Sequence, residues 1–171
     1  RLTGLSVRIH CDVKETVMGS YSEGVICQDT DDTNPRETII HELAHWTDDK
    51  YNYSLSDVMA ELSQAWGPYK GAEFDSNNYE MTEADLQYFD RAYGMVDQLE
   101  DLGVASEPII DSAKLRATDS LPAVRKQKLA ETLTIFEANY PGFTTRLTMM
   151  LEAQNDSSES AFGNDQYISM L

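Results

Sequence analysis

Two histidines and a glutamate have the types and the spacing that hydrolysis at a metal ion requires. His41, Glu42 and His45 belong to the segment HELAH. Four residues make slightly more than one helical turn, so both imidazoles point from one helix face and can bind one ion, for which zinc is suited. Glu42 lies beside them, too far round the helix to be a ligand but close enough to take a proton from a zinc-bound water. The alternative is a surface helix with incidental histidines.

A catalytic zinc ion needs a third protein ligand and an open position for water. No third histidine follows at the metzincin spacing, where Tyr51 stands. Asp57 and Glu61 are four residues apart on the next predicted helix and share a face. In an antiparallel helix hairpin, one of them would bind the metal and the other would accept a hydrogen bond from a ligating histidine. Symmetry of the hairpin favours Glu61 as ligand, whereas an early end of the first helix favours Asp57.

Two predicted helices position these side chains. Asn34 can cap the first helix, Pro35 fits its first turn and Glu37 completes a capping box. That helix continues through residues 36–49, and the second covers residues 56–66, up to a Gly-Pro pair that ends it. Both metal-binding histidines therefore lie on one helix, and both candidate carboxylates lie on the other.

The rest of the chain predicts a small N-terminal β-sheet and a mostly helical C-terminal half. Residues 3–13 alternate apolar and polar side chains, and residues 24–29 form a second strand candidate. Helical spacing of apolar residues returns in residues 82–99 and 122–140. We expect an α+β fold with one domain over residues 1–158 and a weakly ordered tail over residues 159–171.

Composition restricts the partners. Thirteen basic and thirty acidic side chains give a net charge of −17, which repels nucleic acids and anionic membranes. The chain begins at Arg1 and has no signal sequence or long apolar run, so we expect a processed or excised soluble piece. We also expect a monomer. Cys11 and Cys27 lie on neighbouring predicted strands, where a disulfide and two buried thiols are equally reasonable.

The segment HELAHWTDDKYN, followed by DVMAELSQAW, resembles the gluzincin peptidases related to anthrax lethal factor and their secreted bacterial and fungal relatives. The resemblance covers residues 36–66 and extends to residues 78–90. It implies a zincin fold, secretion and a zinc-dependent endopeptidase activity on protein or peptide substrates.

The same resemblance implies roles for single residues. Asp57 takes the position of the third zinc ligand, and Glu61 that of the carboxylate that supports a histidine. A tyrosine before the ligand helix stabilises the oxyanion in this family, which implies Tyr53 or Tyr51. We expect an extended substrate to lie beside a sheet edge, for which residues 24–28 are the candidate. The alternative function is a zinc-stabilised, non-catalytic binding or effector module that acts through its acidic surface.

Overall fold

The N-terminal sheet has three strands in the order β1-β3-β2. They are β1 (Ser6–Ile9), β2 (Gly19–Ser22) and β3 (Val25–Gln28). Strand β1 pairs with β3 in parallel, and β2 pairs with β3 antiparallel. The computed structural model of the chain describes residues 6–9, 18–29, 32–50, 52, 54–110, 117–143, 145, 146 and 149.

A tight hairpin joins β2 to β3. Its two turn residues, Glu23 and Gly24, have φ angles of 47° and 79°, which is the turn geometry that suits the twist of paired strands. The predicted strand over residues 24–29 is thus confirmed, but its proposed role as the sheet edge is wrong, because β3 is paired on both sides. The edge strands are β1 and β2. The residues of β2, GSYS, lack the apolar alternation that would have indicated a strand.

Cys27, on β3, is disulfide-bonded. The chain has one other cysteine, Cys11, which lies outside the described residues. Of the predicted strand over residues 3–13, the structure describes only β1.

Within the described residues, four α-helices follow the sheet: α1 (Pro35–Lys50), α2 (Ser54–Ser63), α3 (Gln98–Ser106) and α4 (Ala123–Asn139). Short 3₁₀ helices connect them at Ser76–Asn78, Asp85–Gln87, Ala92–Met95, Glu107–Ile110 and Ala117–Ser120. Helix α1 begins at Pro35, and α4 covers nearly all of its predicted span, so both predictions are confirmed. The α+β class is confirmed as well.

The predicted helix over residues 82–99 is wrong for most of its length. Its start signal is real, since the Asp85 carboxylate accepts hydrogen bonds from the backbone N–H and the hydroxyl of Thr82. The same carboxylate also accepts hydrogen bonds from the Trp66 indole and the Tyr79 hydroxyl. These four bonds hold a single turn against distant side chains, and a regular helix begins only at Gln98.

Helix α1 packs mainly against α3, while α2 packs against α3 and α4. The chain turns sharply between α1 and α2, and Asp48 fixes that corner by accepting hydrogen bonds from the backbone N–H groups of Leu55 and Ser56. The antiparallel α1–α2 hairpin predicted from the sequence is therefore replaced by a bundle in which α3 covers α1. Its core contains buried side chains from all four helices: Ile40, Leu43, Leu55, Met59, Leu102 and Phe136.

A buried ion pair joins α3 to α4. The Lys128 ammonium donates hydrogen bonds to both carboxylate oxygens of Asp101, at 2.8 and 2.6 Å, and to the carbonyl of Tyr88 at 2.8 Å. Asp101 also accepts hydrogen bonds from the hydroxyls of Ser63 and Tyr69. This network fixes α3, the helix that faces the histidines.

None of the helices within the described residues is both long and apolar enough to span a membrane. The predicted tail over residues 159–171 and the predicted domain boundary at residue 158 lie outside the described residues.

Candidate metal centre

Helix α1 brings His41, Glu42 and His45 together. Their potential ligand atoms all lie within 4.8 Å of one another, so the group could hold a metal ion. The two imidazole centroids are 4.7 Å apart. His41 and Glu42 are buried, and the side chain of His45 is 14% exposed. The two histidines and the glutamate therefore lie together on α1, as their spacing in the sequence predicts.

A carboxylate from α3 lies between the two histidines. The Oε2 atom of Glu100 is 2.9 Å from Nε2 of His41 and 3.7 Å from Nε2 of His45. Asp97 begins this helix by accepting hydrogen bonds from the backbone N–H groups of Leu99 and Glu100. Two imidazole nitrogens and one carboxylate oxygen this close together are the donor types found in catalytic zinc sites. The residues present fit such an ion.

The opposite side of the His41 ring is also held. Its Nδ1 atom lies 3.0 Å from the buried carboxylate of Glu107, which in turn pairs with Arg91. A hydrogen bond to Nδ1 leaves the Nε2 lone pair available for a metal ion.

Helix α3 can approach this closely because residue 103 is glycine. A Cβ atom at Gly103 would lie 2.3 to 2.5 Å from ring atoms of His41, a distance that no side chain tolerates. The missing side chain thus allows the backbone of α3 to pack against the imidazole.

These contacts shift the ionisation of the centre. Burial alone would lower the pKa of His41, but hydrogen bonds to Glu100 and Glu107 outweigh it and raise the pKa to about 9. Burial would raise the pKa of Glu100, but hydrogen bonds from His41 and His45 hold it well below its usual range. Burial raises the pKa of Glu42, although both histidines oppose this effect. A metal ion entering this centre competes with a proton on His41.

The structure places the predicted acids elsewhere. Asp57 and Glu61 are exposed on α2, and Asp57 has a long contact of 3.5 Å with the Gln98 amide. The reason is that α3, rather than α2, covers the histidine face of α1. The carboxylates that contact the two nitrogens of His41 are Glu100, at Nε2, and Glu107, at Nδ1.

Sequence reasoning missed Glu100 because it is 55 residues beyond His45. The segment DQLE does contain the capping pattern of a helix start, with Asp97 three residues before Glu100. That pattern was assigned to the end of a longer predicted helix.

Tyr51 and Tyr53 lie outside the described residues. The structure brings a different tyrosine to the centre: the ring of Tyr93 stacks on His41 with centroids 5.9 Å apart. Its hydroxyl forms a hydrogen bond with Glu100, and burial together with the Glu100 charge raises its pKa. This hydroxyl therefore stays protonated at neutral pH and can donate a hydrogen bond.

The centre opens into a cleft of about 530 Å³. Strand β2, helix α1 and the start of α3 all contribute to its lining. Its lining comprises Gly19, Ser20, Tyr21, Glu23, Glu42, His45, Asp49, Tyr93, Asp97, Leu99 and Glu100. Five of these residues are acidic, and none is lysine or arginine. The cleft is large enough for several residues of an extended peptide and attracts positive charge.

Comparisons of this chain with models of protein families, with curated proteins and with solved structures found no match.

Proposed function

We propose that the protein is a zinc-dependent endopeptidase with a zincin-type active site. The observation that carries this proposal is the position of the Glu100 carboxylate, which approaches Nε2 of both HExxH histidines beside a cleft of about 530 Å³. A purely structural zinc site is closed by four protein ligands, whereas a catalytic site keeps one position open. Two of the three proposed donors, His45 and Glu100, line this cleft, which supports the catalytic alternative.

His41, His45 and Glu100 would hold the ion. Zinc bound there would polarise the substrate carbonyl and acidify a water molecule. Once metal binding removes a proton from His41, the contact of Glu107 with Nδ1 would favour the tautomer that binds through Nε2, and Arg91 balances the buried charge of Glu107. Glu100 therefore replaces Asp57 as the proposed third ligand, and Glu107 replaces Glu61 as the supporting carboxylate.

Glu42 acts as the general base. It is buried, it borders the cleft, and its pKa is raised by burial, which brings a carboxylate closer to the value that suits proton transfer at neutral pH. It takes a proton from the attacking water and passes it to the leaving amine. These are the two proton transfers that peptide hydrolysis needs.

Tyr93 stabilises the oxyanion that develops on the attacked carbonyl. Its hydroxyl is protonated and hydrogen-bonds with the proposed ligand Glu100, and Tyr93 borders the cleft. Coordination of Glu100 to zinc would free this hydrogen for the oxyanion. A preorganised donor at this position acts on charge that exists only in the transition state. It precedes the helix that carries the ligand, the order along the chain that the sequence had suggested for Tyr53.

The test is the zinc content of purified, extensively dialysed protein, measured by elemental mass spectrometry together with casein cleavage. We expect about one zinc per chain, lost in His45→Ala and Glu100→Ala but retained in Asp57→Ala and Glu61→Ala. Absence of zinc from the wild type would rule out the proposal. Loss of zinc in Asp57→Ala with retention in Glu100→Ala would return the ligand role to Asp57.

The Glu42→Gln variant separates a peptidase from a zinc-stabilised binding module. A glutamine side chain keeps the shape of the glutamate but cannot take a proton. We expect the variant to bind zinc normally and to lose proteolysis. Wild-type proteolysis in this variant would contradict the assigned base, and absence of proteolysis in zinc-loaded wild type would favour the binding module.

A further inference from the structure

The outer edge of β2 has a defined set of backbone groups that point away from the sheet. In a two-residue hairpin, the two residues next to the turn form a hydrogen-bonded pair, in which each donates to and accepts from the other. Beyond them, pairs without hydrogen bonds and pairs with hydrogen bonds alternate along the strands. Here Ser22 pairs with Val25 next to the turn, and Tyr21 pairs with Ile26. The N–H group of Tyr21 is therefore directed outward, away from β3.

The other end of the hairpin follows the same alternation. The backbone N–H of Asp29 donates to the carbonyl of Met18 at 2.9 Å, so Met18, Ser20 and Ser22 face β3 whereas Gly19 and Tyr21 face outward. Because β2 is the last strand in the sheet, no other strand of the described chain meets these outward groups.

Glu42 of helix α1 meets them instead. The backbone N–H of Tyr21 lies close enough to its carboxylate to lower the pKa of Glu42. One helical turn earlier, Thr38 contacts the strand at Gly19. An added Cβ there would lie 2.3 Å from the Thr38 methyl, 3.2 Å from the carbonyl oxygen of Cys27 and 3.4 Å from Cγ of Glu42. Since φ of Gly19 is not positive, glycine is required here for close approach rather than for backbone conformation.

We propose that strand β2 is the positioning element of the general base, with Tyr21 N–H holding the Glu42 carboxylate and Gly19 allowing the strand to approach it. This inference rests on the proposed function, since it assigns a catalytic use to Glu42. A glutamate side chain has three rotatable bonds, so its carboxylate must be held in place by other groups. A displacement of a catalytic group by about 1 Å lowers the catalytic rate by a large factor. A carboxylate has two oxygens, so one can accept the Tyr21 amide while the other takes the proton of the attacking water.

The first experiment adds a side chain at Gly19 and then removes the methyl group of Thr38 that this side chain would meet. Gly19→Ala places a methyl group against the Thr38 methyl and should lower kcat by about tenfold to a hundredfold, with zinc content unchanged and KM changed less than kcat. In Gly19→Ala/Thr38→Ser the opposing methyl is absent, so most of kcat should return. Thr38→Ser alone, which keeps the hydroxyl, is the matched control. Unchanged kcat in Gly19→Ala, or a loss that follows zinc content, would overturn the proposal.

The second experiment reads the hydrogen bond without activity. Amide hydrogen exchange measured by NMR should show Tyr21 N–H protected in the wild type and in Glu42→Gln, whose side-chain oxygen still accepts. In Glu42→Ala its exchange should accelerate at least about tenfold, the effect of losing a hydrogen bond worth about 1.4 kcal/mol. The Ser20 amide, bonded inside the hairpin, serves as the internal reference.

An unprotected Tyr21 amide in the wild type would overturn the proposal even if Gly19→Ala fails to fold. Failure of the proposed function has a different signature. A wild-type protein without zinc or proteolysis but with a protected Tyr21 amide would remove the catalytic role of Glu42 and keep the contact.

Discussion

At the scale of single residues, the centre is a charged group in which a proton and the proposed metal ion would compete for the same nitrogen. His41 lies between Glu100 on its Nε2 side and Glu107 on its Nδ1 side. Both carboxylates favour the charged imidazolium, which is why the pKa of His41 is raised to about 9. Zinc requires the neutral imidazole, so its binding must displace that proton.

Zinc binding to chelator-treated protein should therefore release about one proton from His41 at about pH 7.5. Calorimetric titration in buffers of different ionisation enthalpy measures this release. Because His41 is protonated below its folded pKa of about 9, the apparent zinc affinity should fall as the pH falls and should level off above that pKa. Zinc binding without proton release near neutral pH would contradict the assigned contacts of His41.

Tyr93 makes its contribution at the same scale. Tyr93→Phe removes only a hydroxyl, so we expect kcat to fall by about a hundredfold to a thousandfold, as for the loss of one oxyanion donor. KM and zinc content should change little, since the ring still stacks on His41. Steady-state kinetics on a peptide substrate measures the two constants separately. An equal loss in Tyr69→Phe, whose hydroxyl donates to Asp101 instead, would point to a structural cause.

At the scale of elements, the centre depends on how α3 is held against α1. Two features fix that helix: the absence of a side chain at Gly103, which faces the His41 ring, and the ion pair between Asp101 and Lys128. The proposed ligand Glu100 belongs to the same short stretch of α3, so the ligand, the anchor and the close contact share about one helical turn. An error in the position of α3 would therefore displace Glu100.

Lys128→Met should destabilise the fold by about 3 to 5 kcal/mol, because it leaves the buried Asp101 carboxylate without its counter-charge. Chemical denaturation measures the change in the free energy of unfolding. Lys126→Met, at an exposed position on the same helix, is the matched control and should change stability by less than about 0.5 kcal/mol. Equal stability of the two variants would contradict a structural role for the pair.

At the scale of the whole molecule, the net charge of the chain and the charge of the cleft are both negative. The chain has a net charge of −17, and five acidic residues line the cleft without a lysine or arginine among its described lining. Such a field attracts cationic segments and repels acidic ones. A peptidase with this cleft should select substrates by charge before it selects them by shape.

Peptides with lysine or arginine near the cleaved bond should therefore be cut faster than their glutamine analogues. The ratio of the two kcat/KM values should fall severalfold when ionic strength rises from about 0.02 to about 0.2 M, because salt screens the attraction. Glu23→Gln, at the rim of the cleft, should reduce the ratio without changing the rate on the neutral peptide. A ratio that is independent of salt would contradict electrostatic selection.

The sequence by itself determined what lies within one helical turn. Backbone hydrogen bonds fix the helix period, so HELAH places both imidazoles and Glu42 together wherever that helix packs. The start of α1 at Pro35 and the whole of α4 also follow from local capping and apolar spacing, as does the α+β class.

Only the tertiary structure decided which groups complete the centre. Glu100, Glu107 and Tyr93 come from segments about fifty or more residues beyond His45, and no local pattern states which helix will cover α1. That choice depends on the corner fixed by Asp48, on the glycine that admits the His41 ring, and on a buried ion pair formed by a fourth helix. Asp57 and Glu61 have suitable chemistry and spacing, but a helix presents its ligands only to the surface on which it packs.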